Sequence, residues 1–236
     1  SNVFIGPFTG CSNTTGDFSV AIGCGALCLM TGNGCNVAFG RMAGQYTTTG
    51  TQNFYAGNYT AKWHRGSNNI AIGQQALYGN STCADNTGGY NIALGENAGK
   101  ENCSGTGNIF LGNNAGPTVS ASSGGCNIIM GWDSADKLTS GGKNIIMGHD
   151  SGRCITTGND NVFLGSTAGN QVSTNSSSVL IGANAGRNGN SLSNVFIGLG
   201  AGCGASSTTP AENVAIGCFS GRSIEGGSLN AFLGGS

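Results

Sequence analysis

A five-residue phrase, Asn2-Val3-Phe4-Ile5-Gly6, recurs fourteen times in this chain of 236 residues. The copies start at residues 2, 19, 36, 53, 69, 91, 108, 127, 144, 161, 178, 194, 213 and 230. Asn opens twelve of them, Ser19 and Ser178 open the other two, and Gly closes all fourteen. The commonest interval is 17 residues, with longer steps after residues 69, 108 and 194. So regular a period constrains the fold before any local propensity does. It is too short for a βαβ unit, which needs about 30 residues. Gly recurs too often for a helix. The phrase itself is β-branched, short and bounded by Gly, which predicts a strand. The expected fold is all-β: a parallel β-solenoid (a β-roll or β-helix) of about fourteen 17-residue coils, forming a single repeat domain over residues 1–236. Coils of such a solenoid stack at about 4.8 Å.

Counting positions from the Asn, each coil is expected to hold a strand at positions 1 to 5, a short second strand near 7 to 9, and a polar loop. Stacking places the position 1 side chains Asn36, Asn53, Asn69, Asn91, Asn108, Asn127, Asn144 and Asn161 in a structural amide ladder. Gly at position 5 can turn the chain at φ > 0. Position 8 is always small, which suits a thin core. Positions 2 and 4 are almost always aliphatic and are expected to fill that core. Alternation then turns position 3 outward. It is apolar too: Phe4, Tyr55, Phe110, Ile129, Ile146, Phe163, Phe196 and Phe232 stand there. A strand apolar on both faces is buried on both, so these eight are the expected interface with another subunit. The alternative is a single wide solenoid whose loop folds across that face.

Composition removes several function classes. Net charge is −1 and charged residues make up 8% of the chain, so there is no electrostatic footprint for nucleic acid or an anionic membrane. No apolar run is long enough to span a bilayer. The chain begins directly before a repeat and stops within one, as a processed product or a segment of a longer chain or filament subunit would.

Ser19-Val20-Ala21-Ile22-Gly23, Asn69-Ile70-Ala71-Ile72-Gly73 and Asn213-Val214-Ala215-Ile216-Gly217, each followed by two residues and a small one, resemble the head repeats of trimeric autotransporter adhesins. They are also similar to repeats in phage tail fibres and viral surface fibres. The adhesin heads are left-handed parallel β-rolls that assemble as trimers, and the resemblance implies both features here. It covers the whole chain. The coil is about three residues longer than the adhesin one.

Ten cysteines are present, without a CxxC pair. Cys11 and Cys28 share position 10 in successive coils, where stacking puts them within disulfide reach. Cys11 and Cys24 relate as position 10 to position 6 of the next coil, and so do Cys203 and Cys218. The repeated relation favours the pairs Cys11–Cys24 and Cys203–Cys218, with Cys83–Cys103 a further candidate. The other reading is that these are small buried hydrophobes. Disulfides and five Asn-x-Ser/Thr sequons, at Asn13, Asn58, Asn80, Asn102 and Asn175, would place the chain outside the cell or on a virion surface.

Asp133 and Asp150 share position 7 of adjacent coils and could bind a cation between them. The plainer reading is that they replace the Asn usual there and cap a turn. His64 and His149 stand five repeats apart, with no nucleophile arrangement around them. No cofactor is implied and no enzyme site emerges. The expected function is a structural fibre or adhesin shaft that associates with itself, as a homotrimer or end to end. An alternative is a module recognising a cell-surface glycan or receptor through loop residues such as Tyr59, Trp63 and Trp132. A third is ice binding, for which the Thr residues lack a strict ladder.

Overall fold

In the computed structural model the described residues are 1–32, 34–82, 86–118, 122–188, 192–204, 211–222, 224 and 227–235. They hold fourteen three-residue strands and no helix. The chain divides into two compact units, Ser1–Gly124 and Gly125–Ser236. The first contains β1 (Val3–Ile5), β2 (Val20–Ile22), β3 (Val37–Phe39), β4 (Phe54–Ala56), β5 (Ile70–Ile72), β6 (Ile92–Leu94) and β7 (Ile109–Leu111). The second contains β8 (Ile128–Met130), β9 (Ile145–Met147), β10 (Val162–Leu164), β11 (Val179–Ile181), β12 (Val195–Ile197), β13 (Val214–Ile216) and β14 (Ala231–Leu233). Within each unit every strand pairs in parallel with the next one in the chain, and equivalent repeat positions face one another. Each unit is therefore a parallel β-solenoid with one strand per coil.

The strand faces are the reverse of the sequence expectation. The middle residue, position 3, is buried in twelve strands, and the residues on either side of it are half-buried or exposed in all fourteen. Tyr55, Phe110, Ile129, Ile146, Phe163 and Phe196 lie in the core, so they cannot meet another subunit. Phe4 and Phe232, in β1 and β14, are half-buried on the same inward face. The cause is the position 1 Asn, which shares that face by alternation and has its hydrogen-bond partners inside the coil. Asn53 Nδ2 donates to Asn36 Oδ1 at 3.0 Å and to Gly66 O at 2.9 Å, and Asn53 N–H donates to Asn36 Oδ1 at 3.0 Å. Asn69 repeats the pattern on Asn53, and Asn91 on Asn69; Asn108 N–H donates to Asn91 Oδ1. In the second unit Asn144 rests on Asn127 and Asn161 on Asn144. A buried amide costs several kcal/mol unless satisfied, so this ladder decides which parity points inward.

Core volume is shared between coils. Positions 8, 9 and 12 complete the interior, with Met30, His64, Leu138, Ile155 and Val172 at position 12. Position 9 is small where position 3 is large: Phe110 is flanked by Gly99 of the previous coil and Gly116 of its own, and a Cβ on either would strike its ring. Where position 3 is Ala21 or Ala71, position 9 is Leu27 or Leu77. The coil of Ala38 and Gly44 is filled by its neighbours: a Cβ on Gly44 would meet Leu27 at 2.8 Å and Tyr55 at 2.9 Å.

The second strand expected near positions 7 to 9 is a turn instead. Among the described residues, positions 7 and 9, and the residue before each later repeat, all adopt positive φ, for example Met42 (54°), Ala61 (49°) and Lys143 (58°). For a non-Gly residue this costs about 1–2 kcal/mol. Inter-coil hydrogen bonds hold it in place: Met42 N–H donates to Cys24 O at 2.8 Å and Lys143 N–H to Gly125 O at 2.9 Å.

Candidate functional site

The residues that alternation pushes outward form the most distinctive surface of each unit. In the first unit the outward residues are Val3, Ile5, Val20, Ile22, Val37, Phe39, Phe54, Ala56, Ile70, Ile72, Ile92, Leu94, Ile109 and Leu111, and every one is apolar. Ile70 and Ile72 are each 42% exposed. β8 to β14 present the same kind of row, with Ile145 38% and Ile216 40% exposed. At about 60 Å² of exposed surface apiece, the first unit offers on the order of 800 Å² of continuous apolar face, more than the ~300–600 Å² of the largest patch on a typical monomer. No charged side chain interrupts it. Parallel sheets are normally covered on both faces, and this one is covered on the inner face only.

Among the described residues, no three His, Cys, Asp or Glu side chains gather as a metal site. Asp133 and Asp150 do stack in adjacent coils, since Asp150 N–H donates to Trp132 O, and both adopt the left-handed turn conformation. The Asp150 carboxylate is already engaged, by His149 Nδ1 at 3.2 Å and Arg153 Nη1 at 3.8 Å. Burial raises the nearby Asp136 carboxyl, against the pull of Arg153.

The favoured cysteine pairs are not bonded: Cys11, Cys24, Cys203 and Cys218 are all free thiols. In-register stacking sets equal positions side by side, so position 10 meets position 10 rather than position 6. Cys11 accordingly stacks on Cys28, while Gly204, next to Cys203, donates its N–H to Arg222 O. Cys103 is disulfide-bonded. Cys83, its expected partner, lies outside the described residues.

The loop aromatics pack on each other and on cations. Trp63 stacks on Tyr46 with centroids 3.8 Å apart, and Lys62 Nζ stands 5.1 Å from the Trp63 ring. Tyr59 lies between Arg41 and Lys62. Trp132 is 59% exposed and meets His149 edge to face. Two of the five sequon residues, Asn102 and Asn175, are buried and cannot accept a glycan in the folded chain.

His64, which the sequence offers only as an isolated histidine, is fully buried at position 12. Its Nε2 lies 2.8 Å from Gly88 O, and its Nδ1 has no hydrogen-bond partner. Burial depresses its pKa from 6.5 to about 4, so the ring is neutral and Nε2 donates the proton. Its neighbour Gly88 O also accepts from Asn69 Nδ2.

In comparisons with protein families, curated proteins and solved structures, the chain has no match.

Proposed function

We propose that the chain is a structural, non-enzymatic repeat protein that builds fibres by associating with further copies of itself through the outward apolar strand face. The setting we infer is an extracellular or virion fibre, or an adhesin shaft, consistent with the resemblance of its repeats to adhesin heads and tail fibres. The observation that carries this reading is the uninterrupted apolar row at positions 2 and 4, mostly Val, Ile, Leu and Phe with Met and Ala in places. Its area, about 800 Å² per unit, equals one partner's share of a standard protein interface. Burying it is worth on the order of 20 kcal/mol, against roughly 4–15 kcal/mol lost on association. A second copy suits the face best. Both surfaces carry the same strand period, so the ridges of one can enter the grooves of the other, and neither brings an unpaired charge. The interface is therefore the face opposite to the one the sequence pattern suggests.

The test is light scattering on the purified chain beside a variant carrying Ile22→Lys, Ile72→Lys and Leu94→Lys. The parent should be a homo-oligomer at micromolar concentration, and the variant should be monomeric with unchanged circular dichroism and melting. A monomeric parent, or an oligomer indifferent to the three lysines, would overturn the proposal.

A second reading, a glycan- or receptor-binding module, draws on the Tyr46–Trp63 stack and Lys62. Glycan-array binding that is lost on Trp63→Ala, with the oligomer unaffected, would favour it.

A further inference from the structure

The first two coils bring three thiols to one corner of the first unit. Cys11 and Cys28 occupy the same register position, one coil apart, because Gly10 N–H donates to Ala26 O at 3.0 Å and Ser12 N–H to Cys28 O at 2.9 Å. In-register parallel neighbours lie about 4.8 Å apart, within the ~4.4–6.8 Å that disulfides span between Cα atoms. The Cys11 thiol donates to Cys28 O at 3.3 Å, and the two thiols also contact each other. Cys24 sits close enough to act on Cys28 through charge. Cys11 and Cys24 are exposed and Cys28 is half-buried, so a small molecule can reach the group. None of the three belongs to a strand, so none is part of the outward strand face. Cys203 offers a contrast, since the residue at its own register position in the next coil is Arg222 rather than a cysteine.

We propose that Cys11 and Cys28 form a thiol–disulfide exchange site. It takes a small organic disulfide of the glutathione type and closes a covalent staple between the first and second coils. In the first step the Cys11 thiolate attacks one sulfur of the small disulfide. The S–S bond of the reagent breaks, a mixed disulfide forms on Cys11, and the first small thiolate leaves and takes up a proton. In the second step Cys28 loses its proton and attacks the Cys11 sulfur, releasing the second small thiol. Two protein thiols are oxidised to one disulfide, and one small disulfide is reduced to two thiols.

The order follows from the environment. Burial, reinforced by the hydrogen bond and charge of Cys11, pushes the Cys28 thiol up to about 11, which makes it the poorer first nucleophile. Once Cys11 carries the mixed disulfide, its charge is gone and that part of the restraint on Cys28 is lifted. Cys24, which acts on Cys28 through charge, is the competing thiol. The register favours Cys28, since it alone is stacked directly on Cys11.

The staple would act on local opening. β1 pairs with β2 through only three residue pairs, and a Cys11–Cys28 crosslink beside them closes a loop spanning 17 residues. On the loop-entropy scale that should lower the population of the opened first coil, and with it amide exchange there, roughly a hundredfold.

The test treats the folded chain with oxidised glutathione, caps the remaining thiols and reads the intact mass. The parent should lose 2 Da and carry two fewer caps. That change should persist in Cys24→Ser and disappear in Cys11→Ser and Cys28→Ser, with Cys28→Ser instead retaining a glutathione adduct. Amide exchange over residues 1–16 should then be slower in the oxidised parent by about the factor above. Loss of the 2 Da change in Cys24→Ser would assign the bond to Cys11–Cys24 and overturn the proposal. So would covalent dimers as the only oxidised product. An exchange rate unaltered by oxidation would overturn the clamping role. All three serine variants are conservative changes at a turn, and a melting curve matching the parent verifies the fold of each.

Discussion

The sharpest prediction concerns His64, a basic group sealed into a core position that holds Leu138, Ile155 and Val172 in other coils. Its pKa is about 4 in the folded chain against 6.5 when exposed. The unfolded chain therefore takes up a proton first as pH falls. The stabilising contribution of the neutral ring is complete above pH 6.5 and is lost as pH drops from there through 4. Linkage puts the loss at about 2 kcal/mol by pH 5 and about 3 kcal/mol by pH 4. His64→Leu removes the titration. It also removes a buried, unpartnered Nδ1, which costs about 1–3 kcal/mol to bury. Gly88 O stays satisfied by Asn69 Nδ2. The variant should therefore be more stable than the parent by about 1 kcal/mol at pH 7.5, and its advantage should grow by about 2 kcal/mol at pH 5. Urea unfolding followed by circular dichroism at both pH values measures this. Glu101 and Asp136, raised by burial, favour folding as pH falls, but they act in both proteins and cancel in the difference. Parallel pH curves for parent and variant would refute the account of His64.

Two further predictions test the repeat itself. Asn144→Ala should cost roughly 3 kcal/mol or more, since the Asn161 N–H and Gly158 O lose partners in the core. Asn144→Ser should cost clearly less, because Ser178 Oγ accepts the Asn194 N–H in the same role; equal costs for the two in thermal melts would contradict the ladder. Gly73→Ala should cost about 3 kcal/mol or more: its φ is +129° and the new Cβ would collide with the Gly95 carbonyl. Gly25→Ala, at φ +70° and with its nearest contact at 3.5 Å from Met42, should cost about 1 kcal/mol. Urea midpoints that fail to separate the two would count against the turn geometry.

The period, the strand positions and the parallel stacking were all legible in the chain, because Asn and Gly mark every coil at a fixed phase. Orientation was harder. Val and Ile at positions 2 and 4 look like a core because they hardly vary, whereas position 3 ranges from Ala21 to Phe110 and looks like an outer face buried against another subunit. The order is inverted because an interior can absorb that variation: Leu27 compensates Ala21, and Gly116 makes room for Phe110. The signal that could have settled it was the position 1 Asn. An amide ladder belongs in a core only if its partners are there too, and position 3 then has to follow it inward. The left-handed turn residues were hidden for another reason. Leu27, Ala61 and Lys143 have no preference for positive φ, and only the bonds to the neighbouring coil hold them in it.

The sharing of core volume between coils has a consequence for how such a chain can change. A coil built on Ala38 and Gly44 is hollow by itself and is occupied by Leu27 from one side and Tyr55 from the other. Excising that coil would drive those two side chains into each other, and duplicating it would leave an empty layer. The coils look like interchangeable beads, yet each is cut to fit the pair beside it. Lengthening or shortening by recombination therefore has to move blocks whose end layers already match, and the smallest transferable block is larger than the repeat that the eye picks out.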